Sequence, residues 1–188
     1  MRKNIVLIGL SGCGKSTVGA ALSYRLRMHF VDMDAYIERK EGMSIRKIFE
    51  QKGEEAFRRM ETEAAKTLSE SGGKIIATGG GAVLNPQNMA YLKQNAVVVF
   101  LDRTPEAILK KINLSIRPLL AADPSRLYKL DRERRPLYEK YADITVEGLA
   151  KISWTVTGME NALWPYIRVP ARKMQPKRRK KHRFSPRH

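Results

Sequence analysis

Residues 9–16 read Gly-Leu-Ser-Gly-Cys-Gly-Lys-Ser, a full G-x-x-x-x-G-K-[ST] pattern set between the apolar run Ile5-Val6-Leu7-Ile8 and a helix-forming stretch. Such a loop commits the chain to a strand that feeds it and a helix that leaves it. The chemistry asks for each part. Glycines 9, 12 and 14 let the backbone turn until its N–H groups, those around Cys13 among them, point inward at an anion. Lys15 reaches the outer phosphates, and the Ser16 hydroxyl is placed to ligate a magnesium ion. A helix beginning near Lys15, with Thr17 in its first turn, aims its positive dipole end at the same anion. Cys13 is the one cysteine of the chain, which excludes an internal disulfide. Its position inside the loop reads as a small residue at a tight turn rather than a redox centre.

The rest of the chain alternates short β-rich runs with helical patterns, the signature of parallel βαβ units. Strands are predicted at 4–8, 29–33, 74–78, 96–101 and 143–146. Val18, Leu22 and Leu26 give a helical stripe after the loop, and Ile45, Ile48 and Phe49 give another from Ser44 onward. Beyond Gly53 the period is repeated by Phe57, Met60, Ala64 and Leu68, so a separate one-sided helix is expected there. A last helix over 147–164 places Leu149, Ile152, Val156, Met159 and Leu163 on one face, ending at Pro165. Five parallel strands with intervening helices make a doubly wound α/β sheet, and 188 residues suit one domain.

The formal charge of +17 is unevenly placed: ten Lys and Arg and no acid fall in residues 168–188, leaving +7 for residues 1–167. The segment Lys177-Arg178-Arg179-Lys180-Lys181-His182-Arg183, flanked by Pro170, Pro176 and Pro186, is too charged to join a core. It reads as a solvated basic tail, with contact to nucleic acid or another polyanion as its alternative role. No segment approaches the ~20 apolar residues of a membrane helix, and the short apolar run after Met1-Arg2-Lys3-Asn4 is no signal-peptide core. A cytoplasmic, reducing setting is therefore expected.

Ligands of open parallel sheets collect beyond the carboxyl ends of the strands. The second strand ends in Asp32-Met33-Asp34, where alternation would turn both carboxylates the same way beside the phosphate loop. Catalysis or metal contact is the functional reading, and Asp34 as N-cap of a helix over 35–40 is the structural one. Gly79, Gly80 and Gly81 follow the third strand. Three consecutive glycines cost backbone entropy, which points to something approaching the backbone closely, with a merely flexible loop as the alternative. Arg117-Pro118-Leu119-Leu120 lies in a weakly periodic polar segment, about 113–125, that reads as a mobile lid, with Arg117 either a solvated surface charge or a cation that neutralises the transferring group. Before the last strand stands Asp131-Arg132-Glu133-Arg134-Arg135-Pro136-Leu137-Tyr138, whose arginines suit a partly solvated helix surface.

In this order, the loop GLSGCGKST, Asp32-x-Asp34, Gly53-Glu54-Glu55-Ala56-Phe57-Arg58 followed by Glu61, the three glycines, Arg117-Pro118-Leu119-Leu120 and Arg134-x-Pro136-Leu137-Tyr138 resemble the shikimate kinase family. That family belongs to the nucleoside-monophosphate-kinase-like P-loop kinases, and the resemblance spans about residues 4–165. It implies a three-layer fold with a five-stranded parallel sheet, helices on both faces and a mobile lid. It also implies transfer of the γ-phosphate of ATP to the 3-hydroxyl of shikimate, on the route to chorismate and the aromatic amino acids. By resemblance, Gly12, Cys13, Gly14, Lys15, Ser16 and Thr17 hold the ATP phosphates. Mg²⁺ sits on Ser16, linked through water to Asp32. Asp34 is the candidate base, Arg58 and Arg134 grip the shikimate carboxylate, and Gly79, Gly80 and Gly81 offer backbone contact. Arg117 closes over the phosphates as a catalytic cation. Lys111 stands where many relatives carry an arginine that stacks on adenine, keeping the charge without the planar fork. The implied partners are ATP and shikimate, and a monomer is expected. The alternatives are another small-metabolite kinase, such as a gluconate kinase, or a nucleotide-dependent module that meets nucleic acid through the basic tail.

Overall fold

The chain was analysed as a computed structural model, which describes residues 2–111 and 123–167. Arg117, most of the expected lid and the whole basic tail lie outside the described residues. Five strands, β1 (Asn4–Ile8), β2 (His29–Asp32), β3 (Lys74–Ala77), β4 (Ala96–Asp102) and β5 (Ile144–Glu147), pair in the order β2-β3-β1-β4-β5. Every pairing is parallel, as the alternating pattern requires. Each residue of β1 is buried, as are Val97 to Leu101 of β4. A strand buried on both faces must be covered on both faces, which is why these strands read as continuous apolar runs without alternation.

The covering helices are α1 (Lys15–Leu26), α2 (Met33–Glu41), α3 (Ile45–Ser69), α4 (Pro86–Lys93), α5 (Pro105–Leu109), α6 (Ser125–Tyr141) and α7 (Ile152–Leu163). Helix α1 packs on α7, whereas α3 packs on both α2 and α4. The predicted stripe of α1 is the buried one: Val18, Leu22 and Leu26. Ser44 caps α3 by accepting a hydrogen bond from the Lys47 amide, and Gly53 (φ 81°, ψ 170°) interrupts it. That break bears out the two separate helical periods, since only glycine takes such angles without a Cβ penalty. Phe49, expected on the first buried stripe, is 37% exposed and leans on Phe57 at 4.9 Å.

Two further boundaries correct the sequence reading. Strand β2 stops at Asp32, which itself caps α2 by accepting from the Ala35 amide. Asp34 is therefore a first-turn residue and not the N-cap, and the two carboxylates are related by a helical turn instead of strand alternation. The last helix begins at Ile152 and not at 147. Glu147 finishes β5, Gly148 follows it, and Leu149 lies in the loop before the helix although its spacing fits the helix's apolar period.

Helix α6 is bolted to the sheet. The Tyr138 ring stacks on Phe100 at 5.2 Å, and its hydroxyl donates to the Gly80 carbonyl at 2.6 Å. Arg135 donates to both carboxylate oxygens of Asp102, at 3.0 and 2.9 Å, and to Asp131 at 3.2 Å. Bidentate pairing of this kind fixes direction as well as distance. Tyr138→Phe keeps the stack and removes the buried hydrogen bond to Gly80. It should lower unfolding free energy by about 1–3 kcal/mol, read as a shift of the urea midpoint.

Candidate active site

The carboxyl ends of β1, β2, β3 and β4 lie side by side, and each ends in polar residues. After β1, Gly12 (φ 86°) and Gly14 (φ 105°) turn the loop in the left-handed region. Lys15, only 7% exposed, donates through Nζ to the carbonyls of Gly9 at 2.8 Å and Leu10 at 2.9 Å. An ammonium carries three donors, and beyond these two carbonyls the third meets only Cys13 Sγ, a weak acceptor. Cys13 is buried under the loop with Sγ 3.8 Å from Nζ, in keeping with a small packing residue. Ser16 and Thr17 open α1 and are exposed. Ser16 Oγ donates to Asp32 Oδ2 at 2.5 Å, which joins the expected metal-binding pair directly.

The three glycines explain how the strand ends meet. A Cβ at Gly79 would stand 2.8 Å from Asp34 Oδ1 and 3.1 Å from Glu61 Oε1. At Gly80 it would stand 2.5 Å from Ser11 Oγ and 2.9 Å from the Ser11 amide nitrogen. At Gly81 it would stand 2.8 Å from Arg58 Nη1. The close approach that the sequence implied is therefore made by the protein's own residues: the phosphate loop and two of the expected substrate contacts. All three glycines are buried.

Charge is concentrated around them. Asp34 Oδ1 is buried without a hydrogen-bond partner, and burial together with the neighbouring Asp32 raises its carboxyl above the usual range, against the pull of Lys15. Glu61, 1% exposed, accepts from Arg58 Nη1 at 3.0 Å through Oε2, while its Oε1 has no partner. Burial raises Glu61 too, with Arg58 opposing. Arg58 also reaches Glu54 at 2.9 Å. Arg134, on α6, lies close enough to Glu61 and to the Tyr138 hydroxyl to lower both pKa values, although burial dominates and raises each. Lys111 donates to the Ala150 carbonyl, in the loop after β5. The structure thus brings Lys15, Ser16, Asp32, Asp34, Arg58, the three glycines and Arg134 to one end of the sheet, with Lys111 tied to the neighbouring loop.

A family model described as shikimate kinase matches residues 11–159. The chain belongs to the shikimate kinase family. Among its relatives, the shikimate kinase of Caldanaerobacter subterraneus subsp. tengcongensis is 42% identical over 173 residues, covering 90% of this chain and 99% of that protein. The shikimate kinase of Vibrio cholerae O395 is 43% identical over 148 residues, 77% of this chain and 85% of that one. Among solved structures, shikimate kinase from Acinetobacter baumannii in complex with shikimate superposes with a TM-score of 0.80 at 35% identity, over 88% of this chain and 96% of that one. A gluconokinase from Sinorhizobium meliloti, at 15% identity and a TM-score of 0.55 over 86% of this chain and 91% of that one, shares the fold. No helix among the described residues is long and apolar enough to cross a membrane.

Sequence reasoning passed over several residues that hold this site. Glu61 was part of a pattern without a role. Its signal is its place three residues after Arg58, on the same helical face. Arg135 was read as partly solvated surface, yet it is half buried and paired with Asp102. Asn88, fully buried, receives the Thr62 hydroxyl and donates to the Ala82 carbonyl, steadying the turn after the glycines. Nothing in the sequence marks it out.

The buried carboxylate of Asp34 has a consequence for stability. Its folded pKa is raised above its unfolded one, so the stabilisation it gives is complete below the unfolded pKa and is lost as pH rises through the folded pKa. At neutral pH the charge opposes folding. Asp34→Asn should therefore raise the melting temperature of the ligand-free protein at pH 7, with the gain shrinking as pH falls toward 4.

Proposed function

We infer that the chain is an ATP-dependent shikimate kinase, transferring the γ-phosphate of ATP to the 3-hydroxyl of shikimate. The observation that carries this reading is the contact of Gly80 with the phosphate loop while Gly79 and Gly81 touch Asp34 and Arg58. A donor half-site and an acceptor half-site meet at one backbone turn. Phosphoryl transfer asks mainly for such positioning and for charge on the transferring oxygens.

On the donor side, the amides of Gly12, Cys13, Gly14, Lys15, Ser16 and Thr17 face the phosphate chain, and the Lys15 ammonium meets its outer oxygens. Lys111, beside the loop after β5, faces the nucleoside. Ser16 and Asp32 suit Mg²⁺: they offer two hard oxygens at an open edge, and no cluster of three His, Cys, Asp or Glu side chains exists among the described residues. Magnesium favours few protein ligands, with waters and phosphate oxygens completing its shell. Bound there, the ion would neutralise phosphate charge.

On the acceptor side, Arg58 and Arg134 present cationic forks to the shikimate carboxylate, for which bidentate geometry is the natural match. Asp34 faces the ring hydroxyls, with the backbone at residues 79–81 beside it. Its raised pKa favours acceptance of the 3-hydroxyl proton. Arg117, outside the described residues, is proposed to close over the transferring group and exclude water. A gluconate kinase reading has only the shared fold behind it.

Two expected outcomes follow from a coupled assay of shikimate-dependent ADP release. Lys15→Ala and Asp34→Asn should nearly abolish turnover. Arg58→Ala and Arg134→Ala should raise the shikimate KM about 10- to 100-fold, the worth of one or two charge-assisted hydrogen bonds. Wild-type protein that releases no ADP on addition of shikimate, or that accepts gluconate equally well, contradicts the reading. The acid limb of kcat/KM for shikimate should also lie above the ordinary carboxylate range and disappear when Asp34 is replaced.

A further inference from the structure

The last residue of β4 and the one after it, Asp102 and Arg103, face different parts of the site. Asp102 holds Arg135 on the acceptor side. Arg103 turns to the donor side: Nε donates to the Gly148 carbonyl at 3.0 Å and Nη2 to the Leu149 carbonyl at 2.5 Å. The Gly148 amide donates to the Asp102 carbonyl at 2.6 Å, and a Cβ at Gly148 would stand 3.0 Å from Arg103 Nε. Loop 148–150 is thus clamped against the end of β4, with Lys111 reaching its Ala150 carbonyl from the other side.

The remaining arm of the guanidinium is the informative one. Nη1 makes no hydrogen bond among the described residues and lies 3.7 Å from where a Gly14 Cβ would be, beside the residue that caps the N-terminus of α1. A cation there is opposed by the positive end of the helix dipole and by Lys15 nearby. With an anion seated on the same amides, the arrangement becomes favourable, because the guanidinium then faces an opposite charge with two of its nitrogens already oriented by carbonyls.

We propose that Arg103 is a nucleotide-binding residue of the donor site, its Nη1 contacting the phosphate chain of a bound nucleoside di- or triphosphate while its other nitrogens hold loop 148–150 beside the nucleoside. The proposal deepens the ATP-site reading and rests on it. It gives this chain a planar cation on the nucleotide where Lys111 lacks one. No step of the transfer passes through Arg103.

Arg103→Gln and Arg103→Lys test it. Wild-type protein must first show shikimate-dependent ADP release; its absence is a failure of the kinase reading and not of this one. For Arg103→Gln, the ATP KM and the ADP inhibition constant should rise about 10-fold or more, the worth of a charge-assisted contact. The shikimate KM should stay within about 2-fold, and the inhibition constant of adenosine, which has no phosphate, should rise less than that of ADP. Arg103→Lys, which keeps the charge, should recover part of the ADP affinity. An unchanged ATP KM in Arg103→Gln overturns the proposal. Equal weakening of ADP and adenosine, or a lysine variant no better than glutamine, assigns Arg103 to loop anchoring alone and overturns the phosphate contact.

Discussion

The site depends on how closely two backbones approach. At the carboxyl ends of β1 and β3, the phosphate loop and the turn at residues 79–81 come so near that a Cβ at Gly80 would stand 2.9 Å from the Ser11 amide nitrogen. Backbone cannot swing aside as a long side chain can, so glycine is the residue this junction admits. The adjacent glycines extend the same constraint to Asp34 and Arg58. On the proposed assignment, packed main chain holds donor and acceptor groups at a fixed separation, the preorganisation that phosphoryl transfer needs.

Around that junction the protein places charges that do not favour folding by themselves. Asp34 and Glu61 are carboxylates with raised pKa values and an orphan oxygen each. Lys15 and Arg58 oppose the shift at Asp34, and Arg58 and Arg134 oppose it at Glu61; the two arginine forks are also groups that fit a carboxylate ligand. Rigidity is supplied from the flanks. Tyr138 and Arg135 fasten α6, and hence Arg134, to Gly80 and to the end of β4. Asp102 and Arg103, adjacent in sequence, tie α6 and loop 148–150 to one strand terminus. Tension between stability and activity is concentrated where the chemistry is, while the apolar sheet beneath carries the fold.

Much of this was legible in the sequence because the signals are local. The phosphate loop shows in a fixed spacing, each of the five strands in a short β-rich run, and the glycine run in a composition that demands a reason. Helix α3 was read as two periods on either side of Gly53, and its backbone breaks there. Register at element ends was not legible. Asp32 and Asp34 are both good caps, and only the point at which β2 stops decides between them. Leu149 fits the period of α7 yet lies in a loop that Arg103 pins to β4, a contact 46 residues away in sequence. The roles of Glu61, Asn88 and Arg135 likewise depend on partners that no local pattern names. The acceptor's identity is legible through the family resemblance, and the reason for the glycines only through the packing of residues 79–81 on Ser11, Asp34 and Arg58.

The most direct test of this account is the steady-state kinetics of Gly80→Ala, with folding verified by circular dichroism and thermal melting. A methyl group at that position must push the phosphate loop and the acceptor turn apart. The account predicts a folded protein in which kcat/KM falls by at least about 100-fold for ATP and for shikimate together, the penalty associated with small misplacements of reacting groups. A folded Gly80→Ala protein with near-wild-type kinetics, or one impaired toward a single substrate, would contradict the claim that one backbone contact sets the geometry of both half-sites.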